Sequence, residues 1–482
     1  MDISTFELYS NKAFINGNWL EAASGKILEV TNPADGSIIG TVPNMGRQET
    51  VAAIEAAREA FPHWKALLAK ERDALMKQWY QLIMAHQQEL ANIIVLEEGK
   101  PMQEALNEIL YSASFVSFYA EEGKRAYGEI IPSFRPHTQS QVTKEPIGVA
   151  AMITPWNFPA ALITRKAAAA LAAGCTCVIK PSDLTPYTGL ALMKLAEKAG
   201  IPKGVLNMVT GDAIPIGEEI TSNPSIAKIS FTGSVKVGKL LMKQAAEQLK
   251  KLSLELGGDA PFILFEDFSI DKAIDELIAS KFRNTGQTCV CANRVLVQES
   301  VHKSFIEQLK ARLEKFKVGN GFGQGVVQGP LINDEAVIKV EKYIKDVLSR
   351  GAKLICGGKR HKLGGNFFEP TIISDVPPDM PCVEIFGPVV PIYLFRSEQE
   401  AITLANSTSY GLSAYFCTKD MARAYRVAEQ LQAGIVGINC GIISTEVAPF
   451  GGVKESGFGR EGGRQGLDEY MQFKHRLFNL AY

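Results

Sequence analysis

The chain has 482 residues, more than one hydrophobic core usually supports, so two or three domains are expected. Its hydrophobic fraction of 46% and charged fraction of 21% are those of an ordinary globular protein. The 51 basic and 52 acidic residues leave a formal net charge of −1, which offers no electrostatic footprint for nucleic acid or an anionic membrane.

The opening Met1-Asp-Ile-Ser-Thr-Phe-Glu7 lacks the basic and apolar regions of a secretory signal. Eight cysteines in so long a chain are no disulfide framework, and a reducing, cytoplasmic location is expected. The six histidines are scattered and no Cys-x-x-Cys occurs, so no metal site is expected. The apolar stretch from Phe158 to Val178 is broken by Arg165-Lys166. It predicts a buried helix and strand rather than a membrane span.

In chain order, strand and turn signals around Ala13–Gly17 give way to helical spacing from residue 47 to about Tyr127. Between 147 and 256 the period changes. Short apolar runs at 148–153, 175–179, 205–209, 226–231 and 251–255 alternate with helical patterns at 158–173, 187–199, 215–221 and 235–248. That alternation predicts βαβ units and a parallel sheet covered on both faces. A second alternation runs from Pro261 to about Asn439. The extended Gln139–Thr143 and the last residues fit neither unit and are candidates for an arm that pairs with another subunit.

The predicted class is α/β, with a Rossmann-like parallel-sheet cofactor domain, a second α/β catalytic domain and a small oligomerisation arm. The expected boundaries are 1–130 and 147–256 for the cofactor domain and 257–450 for the catalytic domain. Residues 131–146 and 451–482 are the bridging segments. A boundary near Gly257-Gly258 sets Glu255 and Cys289 on opposite sides of an interdomain cleft, a common location for a site.

Three turns follow predicted strands on one sheet edge: Thr154-Pro-Trp156-Asn157, Lys180-Pro-Ser182-Asp183 and Phe231-Thr-Gly233-Ser234. Glycine permits close backbone approach, and Ser234 with the amides behind it suits a phosphate at a helix N-terminus. Lys180 and Asp183 suit ribose hydroxyls, so a dinucleotide is the ligand these turns fit together. Each alone is ordinary turn chemistry. Gly457-Phe-Gly459-Arg-Glu-Gly462 has the spacing of a dinucleotide fingerprint but follows no clear strand and leaves too little chain for a βαβ unit. It is read as a decoy.

The chain resembles the aldehyde dehydrogenase superfamily over nearly its whole length. The resemblance rests on Ile153-Thr-Pro-Trp-Asn157-Phe-Pro, Phe231-Thr-Gly-Ser234, Leu254-Glu255-Leu256-Gly-Gly258, Asn284-Thr-Gly-Gln-Thr-Cys289, Glu384-Ile-Phe-Gly-Pro388 and Pro449-Phe-Gly-Gly-Val-Lys-Glu-Ser-Gly457. More narrowly, Ile163-Thr-Arg165-Lys166, Ser280-Lys-Phe-Arg283-Asn284, Cys289-Val-Cys291 and Gly441-Ile-Ile-Ser444 resemble the succinate-semialdehyde dehydrogenase branch.

The resemblance implies a thiohemiacetal mechanism. Cys289 attacks the aldehyde as thiolate, and Asn157 with the Cys289 backbone N–H holds the oxyanion. Hydride passes to the nicotinamide, and Glu255 activates the water that hydrolyses the thioester. The implied cofactor contacts are Thr154, Trp156, Lys180, Ser182, Asp183, Gly233, Ser234 and Leu256, with Glu384 on the nicotinamide ribose. The cofactor is NAD or NADP; acidic Asp183 favours NAD, because it accepts from a 2′-hydroxyl and repels a 2′-phosphate. Arg165, Arg283 and Ser444 are the expected clamp for an ω-carboxylate on a small aldehyde.

The implied reaction is succinate semialdehyde to succinate, as in 4-aminobutyrate degradation, in a homodimer or homotetramer. Glutarate semialdehyde is the near rival, since one methylene changes pocket preference modestly. A non-catalytic structural protein on this fold and a cofactor-free cysteine hydrolase are the rivals of other classes. Departures from the family pattern are a shorter approach to Glu384 and Asp259 in place of a more usual asparagine; Cys291, which the branch resemblance includes, is a candidate redox partner of Cys289.

Overall fold

The computed structural model describes residues 2–481. Its first sheet has eight strands in the order Gly457–Phe458, Lys251–Glu255, Ile226–Thr232, Val149–Ile153, Thr176–Lys180, Leu206–Met208, Ala13–Ile15 and Asn18–Leu20. The five strands between 149 and 255 are parallel to one another. From the central Val149–Ile153 strand the chain moves outward to one side and then returns to build the other. The sheet therefore has a topological switch point between Val149–Ile153 and Ile226–Thr232, where such folds bind ligands beyond the strands' carboxyl ends.

Local sequence explains the connecting helices. Ala161–Ala173 is alanine-rich, every one of its residues is buried, and it stops at Gly174, whose φ of 95° suits glycine. Pro186–Lys198 carries proline in its first turn, and Val235–Ala245 is capped by Ser234, whose side chain accepts from the Val237 N–H. The helices Arg47–Ala66, Ala69–Ala85, Gln87–Glu97 and Met102–Glu122 form a layer against them. Trp64 and Trp79 close that contact, each burying its ring and donating its indole N–H to a main-chain carbonyl, Leu171 O and Leu192 O.

The second sheet has seven strands: Lys353–Cys356, Thr371–Ser374, Val389–Phe395, Ala292–Gln298, Ala260–Leu264, Ser413–Cys417 and Ile435–Ile438. All pairs are parallel except the first, so the fold is the two-sheet α/β class expected. A third sheet pairs Met471–Asn479 with Thr138–Pro146, and Thr138–Pro146 with Glu129–Ile131, all antiparallel. The two extended segments that fit neither unit thus pair with each other inside one chain. Gly457–Phe458, assigned from sequence to a bridging segment, is hydrogen-bonded as the edge strand of the first sheet. No helix of the described residues is long and apolar enough to cross a membrane.

Candidate active site

Glu255 ends the Lys251–Glu255 strand, and Cys289 lies just before the Ala292–Gln298 strand of the second sheet. The two sheets meet tightly here. A Cβ on Gly258 would sit 2.2 Å from the Cys289 carbonyl oxygen, so only glycine lets the strand exit pass the cysteine. Beside them lies a cavity of about 250 Å³ whose wall includes Cys289, Glu255, Asn157, Arg165, Arg283 and Ser444. Trp156, Gly233, Ser234, Leu256 and Glu384 also line it. Thr154, Lys180, Ser182 and Asp183 do not; they lie around the carboxyl ends of Val149–Ile153 and Thr176–Lys180.

The polar groups have defined partners. The Asn157 side-chain amide donates to Gln287 O at 3.0 Å, which ties it to the turn leading into Cys289. Glu384 accepts the Gly258 N–H at 3.0 Å, so the shorter approach still brings its carboxylate to the cavity wall. Lys180 Nζ donates to Pro181 O at 2.9 Å and pairs with the Asp183 carboxylate. The Ser182 hydroxyl accepts the Leu184 N–H, and the Thr154 hydroxyl is buried without a partner among the described residues.

Burial, and after it the charge of Glu384, pushes the Cys289 thiol up to about 12, with Arg165 acting against them. Burial also raises Glu255 well above the usual carboxylate range, and the nearby Glu461 adds to that. Both Glu255 carboxylate oxygens are buried and free of hydrogen bonds to the described residues. A Cβ at Gly451 would come within 2.8 Å of Glu255 Oε1, so that glycine leaves the carboxyl its space.

Sequence reasoning missed Glu461. It falls inside the glycine run dismissed as a decoy, yet its buried carboxylate pairs with Lys166 Nζ and, at 3.3 Å, with Arg165 Nη1. Lys166 is fully buried and also donates to Thr232 Oγ1 at 2.7 Å. Burial works against ionisation of Glu461, but Lys166 and Arg165 outweigh it and hold the carboxyl below its ordinary value. The only signal in the sequence was Lys166 beside Arg165 in an otherwise apolar helix.

Arg165 is more committed than an open clamp requires. Its Nη2 donates to the Tyr111 hydroxyl at 2.5 Å, and its guanidinium lies 4.5 Å from the Phe450 ring centre. Its Nε remains unpartnered among the described residues. Arg283 stacks on Phe158 at 4.6 Å. Arg283, Ser444, Tyr111 and Phe158 also line a neighbouring cavity of about 440 Å³. Burial raises the Glu384 carboxyl above its ordinary value, opposed first by the Gly258 N–H and then by Lys339, another wall residue absent from the sequence reading. Cys291 stays out of the cavity, its buried thiol donating to Gly286 O at 3.3 Å.

A dinucleotide fits what these residues offer. The free amides at the start of Val235–Ala245 suit a pyrophosphate, and the Lys180–Asp183 and Glu384 positions suit its two riboses.

Comparison with known proteins gives the family. The family model described as "Aldehyde dehydrogenase family" matches residues 19–476. The chain is 53% identical over 482 residues to the succinate-semialdehyde dehydrogenase [NADP(+)] of Escherichia coli (strain K12), covering 100% of both chains. It is equally 53% identical over 482 residues to a glutarate-semialdehyde dehydrogenase of Pseudomonas putida, again covering 100% of both. The crystal structure of succinate-semialdehyde dehydrogenase from Burkholderia pseudomallei superposes with a TM-score of 0.97 at 53% identity, covering 98% of each chain. The chain belongs to the aldehyde dehydrogenase family and is an NAD(P)-dependent enzyme of that class.

Proposed function

We propose that the enzyme oxidises succinate semialdehyde to succinate. The observation that carries this reading is one cavity wall shared by Cys289, Glu255 and Asn157 with Arg165, Arg283 and Ser444. Cys289 passes its proton to the Glu255 carboxylate, which shares its cavity wall, and its sulfur adds to the aldehyde carbon. The new oxyanion accepts from the Asn157 amide and the Cys289 N–H, each such donor contributing about 3–4 kcal/mol to the transition state. A bound nicotinamide supplies the hydride acceptor for the oxidation. Once the Cys289 proton has left to solvent, Glu255 takes a proton from the water that adds to the Cys289 thioester; the carbon–sulfur bond then breaks, the acid is released and the proton passes to the departing sulfur. Arg283, with Arg165 and Ser444, holds the substrate's far carboxylate by charge-assisted hydrogen bonds.

Glutarate semialdehyde is the second reading. It is supported by the name of a relative as similar as the succinate-semialdehyde enzyme, and one methylene is worth only about 1–3 kcal/mol in a pocket. For the cofactor, Asp183 favours NAD, although the similar Escherichia coli enzyme carries NADP(+) in its name.

For assembly, Ile130 and Phe473 in the three-stranded sheet and Phe134 in the connection beside it are each 72% accessible, and these exposed apolar side chains support a homodimer or homotetramer. All eight cysteines are unbridged, in keeping with a reducing cytoplasm. The deciding experiment is kcat/KM for succinate and glutarate semialdehydes and an uncharged aldehyde of equal length, each with NAD and NADP. Equal values for charged and uncharged aldehydes overturn the carboxylate clamp.

A further inference from the structure

The helical layer reaches the site through a cluster of buried charges that the mechanism above does not use. Lys100 is fully buried just before the Met102–Glu122 helix. Its ammonium donates to Glu108 Oε2 at 2.5 Å and to the main-chain oxygen of Asn157 at 2.7 Å. It lies 3.8 Å from Glu98 and 4.1 Å from the centre of the Phe158 ring. Glu108 also accepts the Ala160 N–H at 2.9 Å, at the start of the Ala161–Ala173 helix.

The same cluster grips the turn before Cys289. Glu98 accepts from Asn284 Nδ2 at 2.7 Å, and Glu104 accepts the Asn284 N–H at 2.6 Å. Asn284 Nδ2 also reaches Asn157 O at 3.0 Å, so that oxygen takes one donor from Lys100 and one from Asn284. The turn is held in an unfavourable conformation. Asn284 and Thr285 have φ of 51° and 59°, and a β-branched residue rarely adopts the left-handed region. Such strain persists only where surrounding contacts overdetermine it. Here those contacts come from Glu98 and Glu104, which hold Asn284, and from the Gly329 carbonyl, which accepts the Thr285 hydroxyl.

We propose that Lys100 and Glu98 are positioning residues for aldehyde oxidation. They lock the Asn157 main chain and the left-handed turn at 284–285 in one register, so that the Asn157 amide and the Cys289 N–H converge on one oxyanion. The inference rests on the roles proposed above for Asn157 and Cys289. Displacement of a reacting group by about 1 Å costs on the order of a hundredfold in rate, so modest slackening here is visible in kcat.

The test is a double-mutant cycle of Lys100→Met with Asn157→Ala, on folded protein isolated by gel filtration and checked by circular dichroism. Lys100→Met alone is expected to lower kcat about 10–100-fold, with the KM for the cofactor unchanged. In the Asn157→Ala background the same substitution should cost less than about threefold, because the group it positions is already gone. Glu98→Gln preserves shape while replacing the carboxyl that accepts from Asn284 Nδ2 with an amide, and it takes the place of Lys100→Met in the cycle where that variant does not fold.

Losses that multiply in the double variant, or a folded Lys100→Met or Glu98→Gln with unchanged kcat, overturn the positioning role while leaving the proposed function intact. An Asn157→Ala variant with full activity overturns the oxyanion reading, and the positioning role falls with it.

Discussion

Asp259 and Asn293 meet in the second sheet, where the Asn293 side-chain amide donates to Asp259 Oδ1 at 2.6 Å. The same amide group donates to Val383 O at 2.8 Å and accepts the Ile385 N–H at 3.1 Å. One side chain thereby pins both neighbours of Glu384. This accounts for how the shortened approach still delivers that carboxylate, and it gives Asp259 a task that the sequence alone did not suggest. Asn293→Ala should raise the KM for NAD(P) about tenfold while changing kcat less, since two hydrogen bonds to the Glu384 loop are lost. Steady-state kinetics at saturating aldehyde measure this, and an unchanged cofactor KM rejects it.

Asp259 also faces Arg294, with Nε and Oδ2 2.9 Å apart and both side chains buried. Arg294 donates further to the Leu404 and Ala405 carbonyls. Asp259→Asn leaves a buried guanidinium without its counter-charge, which should cost about 3 kcal/mol. Urea unfolding of the variant beside the parent protein measures the loss. Equal midpoints would show the charge to be dispensable.

The Cys289 thiol is protonated in the resting site at neutral pH, because burial and the Glu384 charge raise it to about 12. Below that value the thiolate fraction grows tenfold for each unit of pH. Without cofactor, alkylation of Cys289 by iodoacetamide should therefore accelerate steadily from pH 7 to pH 10, with a slope near one on logarithmic axes. A plateau near pH 8 would mean that the thiol is already activated in the free enzyme.

Arg283 stacks on Phe158 and lines both cavities, whereas Arg165 is tied to Glu461 and Tyr111. Arg283→Ala therefore tests the clamp with less damage to the fold. It should lower kcat/KM for succinate semialdehyde about 100-fold and leave an uncharged aldehyde of equal length within about threefold, as expected for loss of a charge-assisted contact. Equal losses for both aldehydes would assign Arg283 a general role.

Lys180 partly neutralises Asp183, but the carboxylate remains the acidic group beside the expected adenosine ribose. Asp183→Ser should move the ratio of kcat/KM for NADP over NAD upward by about 10-fold, by removing repulsion of a 2′-phosphate and leaving Lys180 free to attract it. A ratio that does not move would sink the role given to Asp183.

Cys291 is held by the Gly286 carbonyl, and its sulfur lies 3.9 Å from Lys281 Nζ. A bond to Cys289 would have to draw this thiol away from those partners, so it should be labile and easily reduced. Peroxide is expected to inhibit the enzyme and thiol to restore it, with Cys291→Ala abolishing the reversible part. Unchanged oxidant sensitivity in that variant rejects the pairing.

The two alternations of strand and helix were legible in sequence because period and turn chemistry are local properties. Glu255, Cys289 and Asn157 were legible through the family motifs that carry them. The Asn157 backbone grip, the Glu461–Lys166 pair and the Asp259–Asn293 contact were not, because each joins residues far apart in the chain. Glu461 shows the reason most plainly. Its own neighbourhood is a glycine run with misleading spacing, and it acquires meaning only when Lys166 and Arg165, from a helix nearly three hundred residues earlier, are packed against it. Sequence alone determined which side chains are available and on which elements they ride. Tertiary structure decided which charges are buried together and how far each is pushed from its ordinary ionisation, since desolvation and pairing depend on neighbours that only folding assembles.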